Sequence, residues 1–211
     1  MKRTFVKCVK IFTEAILMFD VIIVGGGHAG VEAAIAAARM KQKTALFTLN
    51  IDRIAAMPCN PSIGGPAKGI VVREIEALGG VMGKIADKTA LQFRILNSSK
   101  GPGVRSLRVQ SDKLEYSKAM RDAVLNEPGV EIVQKMVKEI VVEDGVCVGI
   151  RTVDDEFIAA QSVVITSGTY MSSKILVSSS VTESGPEGDP TTNTLSESLR
   201  ANGLRTMRLK T

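Results

Sequence analysis

Tryptophan is absent from the 211 residues, and aromatic residues make up only 4% of them. So small a complement of rings argues against a nucleic-acid surface built on base stacking. Histidine occurs once, as His28, which excludes a metal site built from histidines. Cysteine is scarce as well: Cys8, Cys59 and Cys147 stand far apart, with no CxxC pair and no metal-ligand spacing. This spacing argues against a disulfide reductase and makes a reduced, cytoplasmic setting the default expectation. No run reaches the ~20 apolar residues that a membrane-spanning helix needs, so no membrane role is expected. No long stretch has the composition of a disordered chain.

What is present suits a globular domain, or one domain with a piece of a second. Hydrophobic residues amount to 45%, enough for a core, and the net charge is +5. Between Lys84 and Arg121 basic residues outnumber acidic ones nine to three. Such an excess suits phosphate groups, and an ordinary solvated face has the same composition. Residues 1–18 carry Lys2, Arg3, Lys7 and Lys10 among Phe5, Val9, Phe12 and Ile16 at helical spacing. This segment reads as an extension upstream of a start at Met18, with a targeting peptide as the other reading.

The apolar, β-branched run 19–24 predicts a buried strand. Three glycines follow, then an Ala-rich helix over 31–40 and a second strand over 43–48, which together make one βαβ unit. A Pro- and Gly-rich loop is expected over 50–68, a short helix over 70–78 closed by Gly79-Gly80, and an irregular basic stretch over 81–110. A helix over 113–125 has Asp112 as N-cap, with Glu115 completing a capping box. Strands are expected at 130–134, at 136–142 and 146–153 around a Glu143-Asp144-Gly145 hairpin turn, and at 162–166. The last forty residues are rich in Ser, Thr, Gly and Pro, and are weakly helical over 195–201.

Gly25-Gly26-Gly27-His28-Ala29-Gly30 contains G-x-G-x-x-G directly after a strand and opening a helix. Gly25 permits the tight turn, Gly27 lets a diphosphate approach the backbone, and Gly30 lets helix and strand pack closely. Free N–H groups at the helix start then face the phosphates. An acidic residue is expected at the end of the second strand to hold a ribose hydroxyl, but Thr48 stands there and Asp52 comes too late. The ribose must therefore be held in another way. His28, at the helix start, reads as a shaped backbone position near the cofactor, with a general acid–base role as the alternative.

The segment from Phe19 through the glycine turn resembles the opening of the MnmG (GidA) family. Further blocks carry the same resemblance: Pro58-Cys59-Asn60-Pro61-Ser62-Ile63-Gly64-Gly65, Ala67-Lys68-Gly69, Arg73-Glu74-Ile75, and Leu96-Asn97 through Asp112-Lys113. Thr166 to Thr169, Lys174, Gly188-Asp189-Pro190 and Arg208-Leu209-Lys210-Thr211 complete it, so that the blocks cover most of residues 19–211 in order. The resemblance implies an α/β, Rossmann-like FAD-binding domain of the glutathione-reductase type, with a basic insertion and a β-hairpin element. It implies FAD, reduced nicotinamide (NADH) and methylene-tetrahydrofolate as cofactors. It also implies the GTPase MnmE as partner, a homodimer, and addition of an aminomethyl or carboxymethylaminomethyl group to carbon 5 of the wobble uridine of certain tRNAs.

Residue by residue, FAD binding carries over to Gly25, Gly26, Gly27, His28, Ala29 and Gly30, to Val137, and to Thr192, where the family usually has serine. Cys59 is expected near the flavin, as nucleophile or proton donor or as a packing thiol. Lys84, Lys88, Arg94, Lys100, Arg105 and Arg108 are expected to meet tRNA phosphates, with FAD phosphates or a second subunit as the other reading for some of them. Departures from the family pattern fall at Thr166-Ser167-Gly168-Thr169-Tyr170, at Gly103, and over 177–187. The family continues beyond the last residues seen here with a nicotinamide region and a helical domain. The expectation is therefore an FAD domain over 19–211, incomplete at its C-terminus and inactive by itself. The other readings are an FAD oxidoreductase acting on a small molecule and a non-catalytic FAD-binding fragment.

Overall fold

The run of β-branched residues after Met18 forms the centre of the molecule. The structure, a computed structural model, describes residues 18–58, 60–185 and 188–207. The segment before Met18 and Cys59 lie outside the described residues. Strand β1 (Met18–Val24), helix α1 (His28–Arg39) and strand β2 (Thr44–Thr48) make the expected βαβ unit, β1 and β2 running parallel. Side chains alternate across this sheet. Ile23 and Leu46 enter one apolar cluster with Val31 and Ile35 of α1. Ile22, Val24, Ala45 and Phe47 enter a second cluster on the other face. All five residues of β2 are buried, as in a parallel strand covered on both sides.

The main sheet has the order β6-β2-β1-β9-β8-β7, with β6 (Val130–Gln134), β7 (Val137–Glu143), β8 (Val146–Thr152) and β9 (Phe157–Ile165). The β6, β2, β1 and β9 strands are parallel, and β9, β8 and β7 continue as an antiparallel meander. The β7–β8 turn places Asp144 and Gly145 at φ 49° and 80°, the left-handed pair that a two-residue hairpin needs. Helix α4 (Lys113–Leu125) covers the α1 face and buries Tyr116, Met120 and Val124 completely. Asp112 caps it, accepting from the N–H groups of Leu114 at 2.9 Å and Glu115 at 3.0 Å. The reciprocal half of the expected box is not used, because the Asp112 N–H donates to the Thr89 carbonyl at 2.8 Å. On the other face lies α5 (Thr194–Ala201), with Leu195 in the second cluster and the Ser198 hydroxyl accepting from the Ile140 N–H at 3.0 Å. Met120→Ala is expected to cost ~2–5 kcal/mol, read as a lowered midpoint in urea, since it empties a sealed site between α4 and α1.

The basic stretch expected to be irregular is folded. Helix α3 (Met82–Lys88) is followed by β4 (Ala90–Leu96) and β5 (Ser106–Ser111), which with β3 (Ser62–Gly64) form a three-stranded antiparallel sheet in the order β3-β5-β4. Leu91, Phe93 and Ile95 alternate with Gln92 and Arg94, a two-residue period hidden in composition by the surrounding charge. Buried Glu32 of α1 joins this unit to the main sheet by accepting from the N–H groups of Val81 (3.0 and 3.1 Å) and Met82 (2.7 Å) at the start of α3. Helix α2 (Lys68–Ala77) precedes it, and a small hairpin, β10 (Ile175–Val177) and β11 (Ser180–Thr182), follows β9. Cys147, which stands among apolar neighbours in β8, is half-buried. No helix of the described residues is long and apolar enough to cross a membrane.

Candidate functional site

Strands β2 and β9 flank β1 on opposite sides, so the chain leaves the sheet in opposite directions beside β1. In open α/β sheets ligands bind at this kind of switch point, at the carboxyl ends of the strands. A cleft of about 340 Å³ lies there, walled by residues 25–29, 48–50, 135–137 and 166–170, together with Arg53, Asp189 and Thr192. The volume falls within the ~300–1,000 Å³ usual for ligand pockets.

The glycine turn is built for close approach. Gly25 lies at φ +116°, and a Cβ there would stand 2.5 Å from the Thr166 carbonyl oxygen. The Thr166 hydroxyl donates toward the carbonyls of Val24 and Gly25, 3.0 Å from each, tying β9 to the turn. A Cβ on Gly30 would fall 1.8 Å from the Gly25 carbonyl oxygen, so this glycine serves helix–strand packing and does not line the cleft. A Cβ on Gly27 would meet nothing within 4 Å. Gly27 is also the N-cap of α1, and the first turn contains neither a side-chain cap nor an acid. The uncapped N–H groups and the open space beside them fit a diphosphate; Arg53 and Lys135 also line the cleft, paired with Asp189 and Glu156.

All the positions expected to contact FAD except Gly30 come together at the cleft. Gly25, Gly26, Gly27, His28 and Ala29 line the cleft with buried Val137 and partly buried Thr192. The β2 strand ends at Thr48, whose hydroxyl donates to the Asn50 carbonyl at 3.2 Å, and Asn50 Oδ1 accepts from the Asp52 N–H at 2.8 Å. Asp52 pairs with Arg121 at 2.7 Å, outside the cleft wall. His28 turns its ring toward Tyr116, centroids 5.7 Å apart, and its buried Nε2 has no hydrogen-bond partner among the described residues. Burial, and then the charge of Lys68, hold the imidazole below its ordinary pKa. Burial, and then Glu32, push the Tyr116 phenol up.

The sign for His28 follows from linkage. Its folded pKa is below the unfolded value of ~6.5, so the unfolded chain takes a proton that the folded one refuses. Stability is unaffected above that pH and falls as the pH drops through it. The difference between wild type and His28→Gln in urea midpoint is expected to change between pH 7.5 and pH 5, with the wild type losing more.

The basic residues do not form one face. Arg94 and Arg108 stand directly opposite each other on β4 and β5. Lys100 and Arg105 sit at the connecting loop, where Arg105 Nε donates to the Lys100 carbonyl at 3.2 Å. Lys84 and Lys88 lie on α3, which packs against the sheet through Ala86 on the side of Val109 and Ser111, opposite to Arg108. Sequence reasoning missed Arg53, Lys135, Tyr170 and Asp189 as cleft residues. Arg53 Nη1 and Asp189 Oδ1 are 3.2 Å apart although 136 positions separate them, so only the completed sheet brings them together.

Comparison with known proteins agrees with this architecture. The chain is 56% identical over 194 residues to the tRNA uridine 5-carboxymethylaminomethyl modification enzyme MnmG of Mycoplasma capricolum, and 49% identical over 193 residues to that of Bacillus subtilis. Each alignment covers 92% of this chain and 31% of the relative, so the chain spans about a third of the length of these relatives. The crystal structure of Aquifex aeolicus GidA in form II superposes with a TM-score of 0.84 at 46% identity, over 89% of this chain and 31% of that one. With the family model for glucose inhibited division protein A matching residues 20–211, the chain belongs to the GidA family.

Proposed function

We propose that this chain supplies the FAD-holding part of an enzyme that adds a carboxymethylaminomethyl or aminomethyl group to carbon 5 of the wobble uridine of tRNA. The observation that carries this reading is the uncapped start of α1 with open space over Gly27, in a chain whose relatives are named for that modification. The N–H groups at the start of α1 hold the diphosphate, and Val137 and Thr192 border the nucleotide. Bound FAD supplies the redox capacity of the one-carbon transfer. Cys59, next in sequence to Pro58, which lines the cleft, is the proposed nucleophile or proton donor. NADH, methylene-tetrahydrofolate, the GTPase MnmE, a homodimer and a cytoplasmic setting belong to the same reading.

Purified protein should be yellow and bind FAD. Expression in a strain lacking its own enzyme, followed by nucleoside analysis of its tRNA, tests the modification itself. In the modification-competent protein, Cys59→Ser is expected to abolish product; full activity would remove that role. The opposed Arg94 and Arg108 favour a phosphate-binding patch on this face, since like charges directly across a strand pair repel unless an anion lies between them. Arg94→Glu with Arg108→Glu is expected to weaken tRNA binding at least tenfold and to flatten its salt dependence. Unchanged tRNA affinity would exclude that patch.

A further inference from the structure

The cleft has a carboxylate, and it comes from an unexpected part of the chain. Among the described residues that line the cleft, Asp189 is the sole acid. Its Oδ1 lies 3.2 Å from Arg53 Nη1, and its Oδ2 accepts from the Tyr170 hydroxyl at 3.0 Å. Arg53 stands in the short 3₁₀ turn (Ile51–Arg53) that follows the end of β2, so this pair delivers a carboxylate to the region where an acid at the end of β2 would reach. Neither Thr48 nor Asn50 supplies one there. A carboxylate accepts about four hydrogen bonds. With Arg53 on Oδ1 and the Tyr170 hydroxyl on Oδ2, one donor to each oxygen, Asp189 keeps acceptor capacity beside the cleft. The guanidinium of Arg53 offsets its charge, which lets it sit near a diphosphate without strong repulsion.

We propose that Asp189 replaces the missing acid of β2 and accepts a hydrogen bond from a ribose hydroxyl of the adenosine half of the cofactor. The inference rests on the FAD reading. Asp189 is thus a binding residue contributed from the far end of the fold, and Arg53 and Tyr170 are its positioning residues.

The test is a cycle between residue and ligand. Flavin-free protein, wild type and Asp189→Asn, is titrated calorimetrically with FAD, ADP, 2′-deoxy-ADP and 3′-deoxy-ADP. Wild type is expected to bind ADP about tenfold or more tightly than at least one deoxy form, as for a hydrogen bond to a charged acceptor. Asp189→Asn is expected to weaken FAD and ADP by a similar factor and to reduce the ribose discrimination to less than about twofold. If the variant keeps the wild-type discrimination, the inference is overturned and the FAD reading stands. An equal loss for ADP and both deoxy forms also overturns it, because Asp189 would then only hold its segment in place. Failure of wild type to bind either FAD or ADP overturns the FAD reading itself. Should Asp189→Asn not fold, Asp189→Glu enters the same cycle. That change retains the charge, displaces the carboxylate by one methylene, and is expected to lose the discrimination.

Discussion

Gly30→Ala is expected to abolish flavin binding and to destabilise the fold by at least ~3 kcal/mol, at the upper end of the cost of overpacking. In an ordinary helix the same change would gain up to ~1 kcal/mol, because alanine is the better helix former. Here the added methyl would fall 1.8 Å from the Gly25 carbonyl oxygen. That oxygen belongs to the backbone and is held by the Thr166 hydroxyl, so no flexible side chain can give way. Helix α1 would have to retreat from β1 and open the cluster of Ile23, Val31 and Ile35. The N–H groups at its start would move with it. Urea unfolding and visible flavin absorbance check the two effects together. A variant of wild-type stability that remains yellow would refute the packing role of this glycine.

Gly27→Val should separate what Gly30→Ala joins. The backbone at Gly27 has φ −73° and ψ −175°, an extended conformation open to any L-residue. Its Cβ would meet no atom within 4 Å, so the apoprotein is expected to unfold within ~1 kcal/mol of wild type, the residue being an N-cap of modest worth. The two added methyls would occupy the space where the backbone must meet a diphosphate. Flavin affinity is expected to fall at least ~100-fold, equivalent to ~2.7 kcal/mol. Together the two variants distinguish a glycine needed for folding from one needed for the ligand. Retained affinity in Gly27→Val would place the phosphates elsewhere.

The first βαβ unit was legible because three independent signals coincide in it: the apolar run of β1, the glycines, and the alanines of α1. That the acid expected at the end of β2 is missing was legible too, and the structure gives it a consequence. The positions of Val137 and Thr192 in the cleft were readable from the family resemblance alone; nothing in their local pattern marks them. The β3-β5-β4 sheet was not legible, since charge and loop residues mask the alternation of β4, and β3 has only three residues. The capping box was half right, because the Asp112 N–H that Glu115 would have accepted from donates instead to the Thr89 carbonyl of another element. Asp189 could not be found from sequence spacing, because its environment is made by Tyr170, 19 positions away, and Arg53, 136 positions away.

The pairing of β1 with β9 has a consequence for the nascent chain. Val24 lies beside Ile165, and the residues between them must leave the ribosome before this side of β1 can be covered. At ~5–20 residues per second that interval lasts roughly 7–28 s. Throughout it one edge of β1 is unsealed, with α1 and β2 already able to fold against the remainder. Synthesis therefore passes through an interval of exposure to aggregation, which ends only when β9 is made and the crevice beside the glycine turn acquires its second wall.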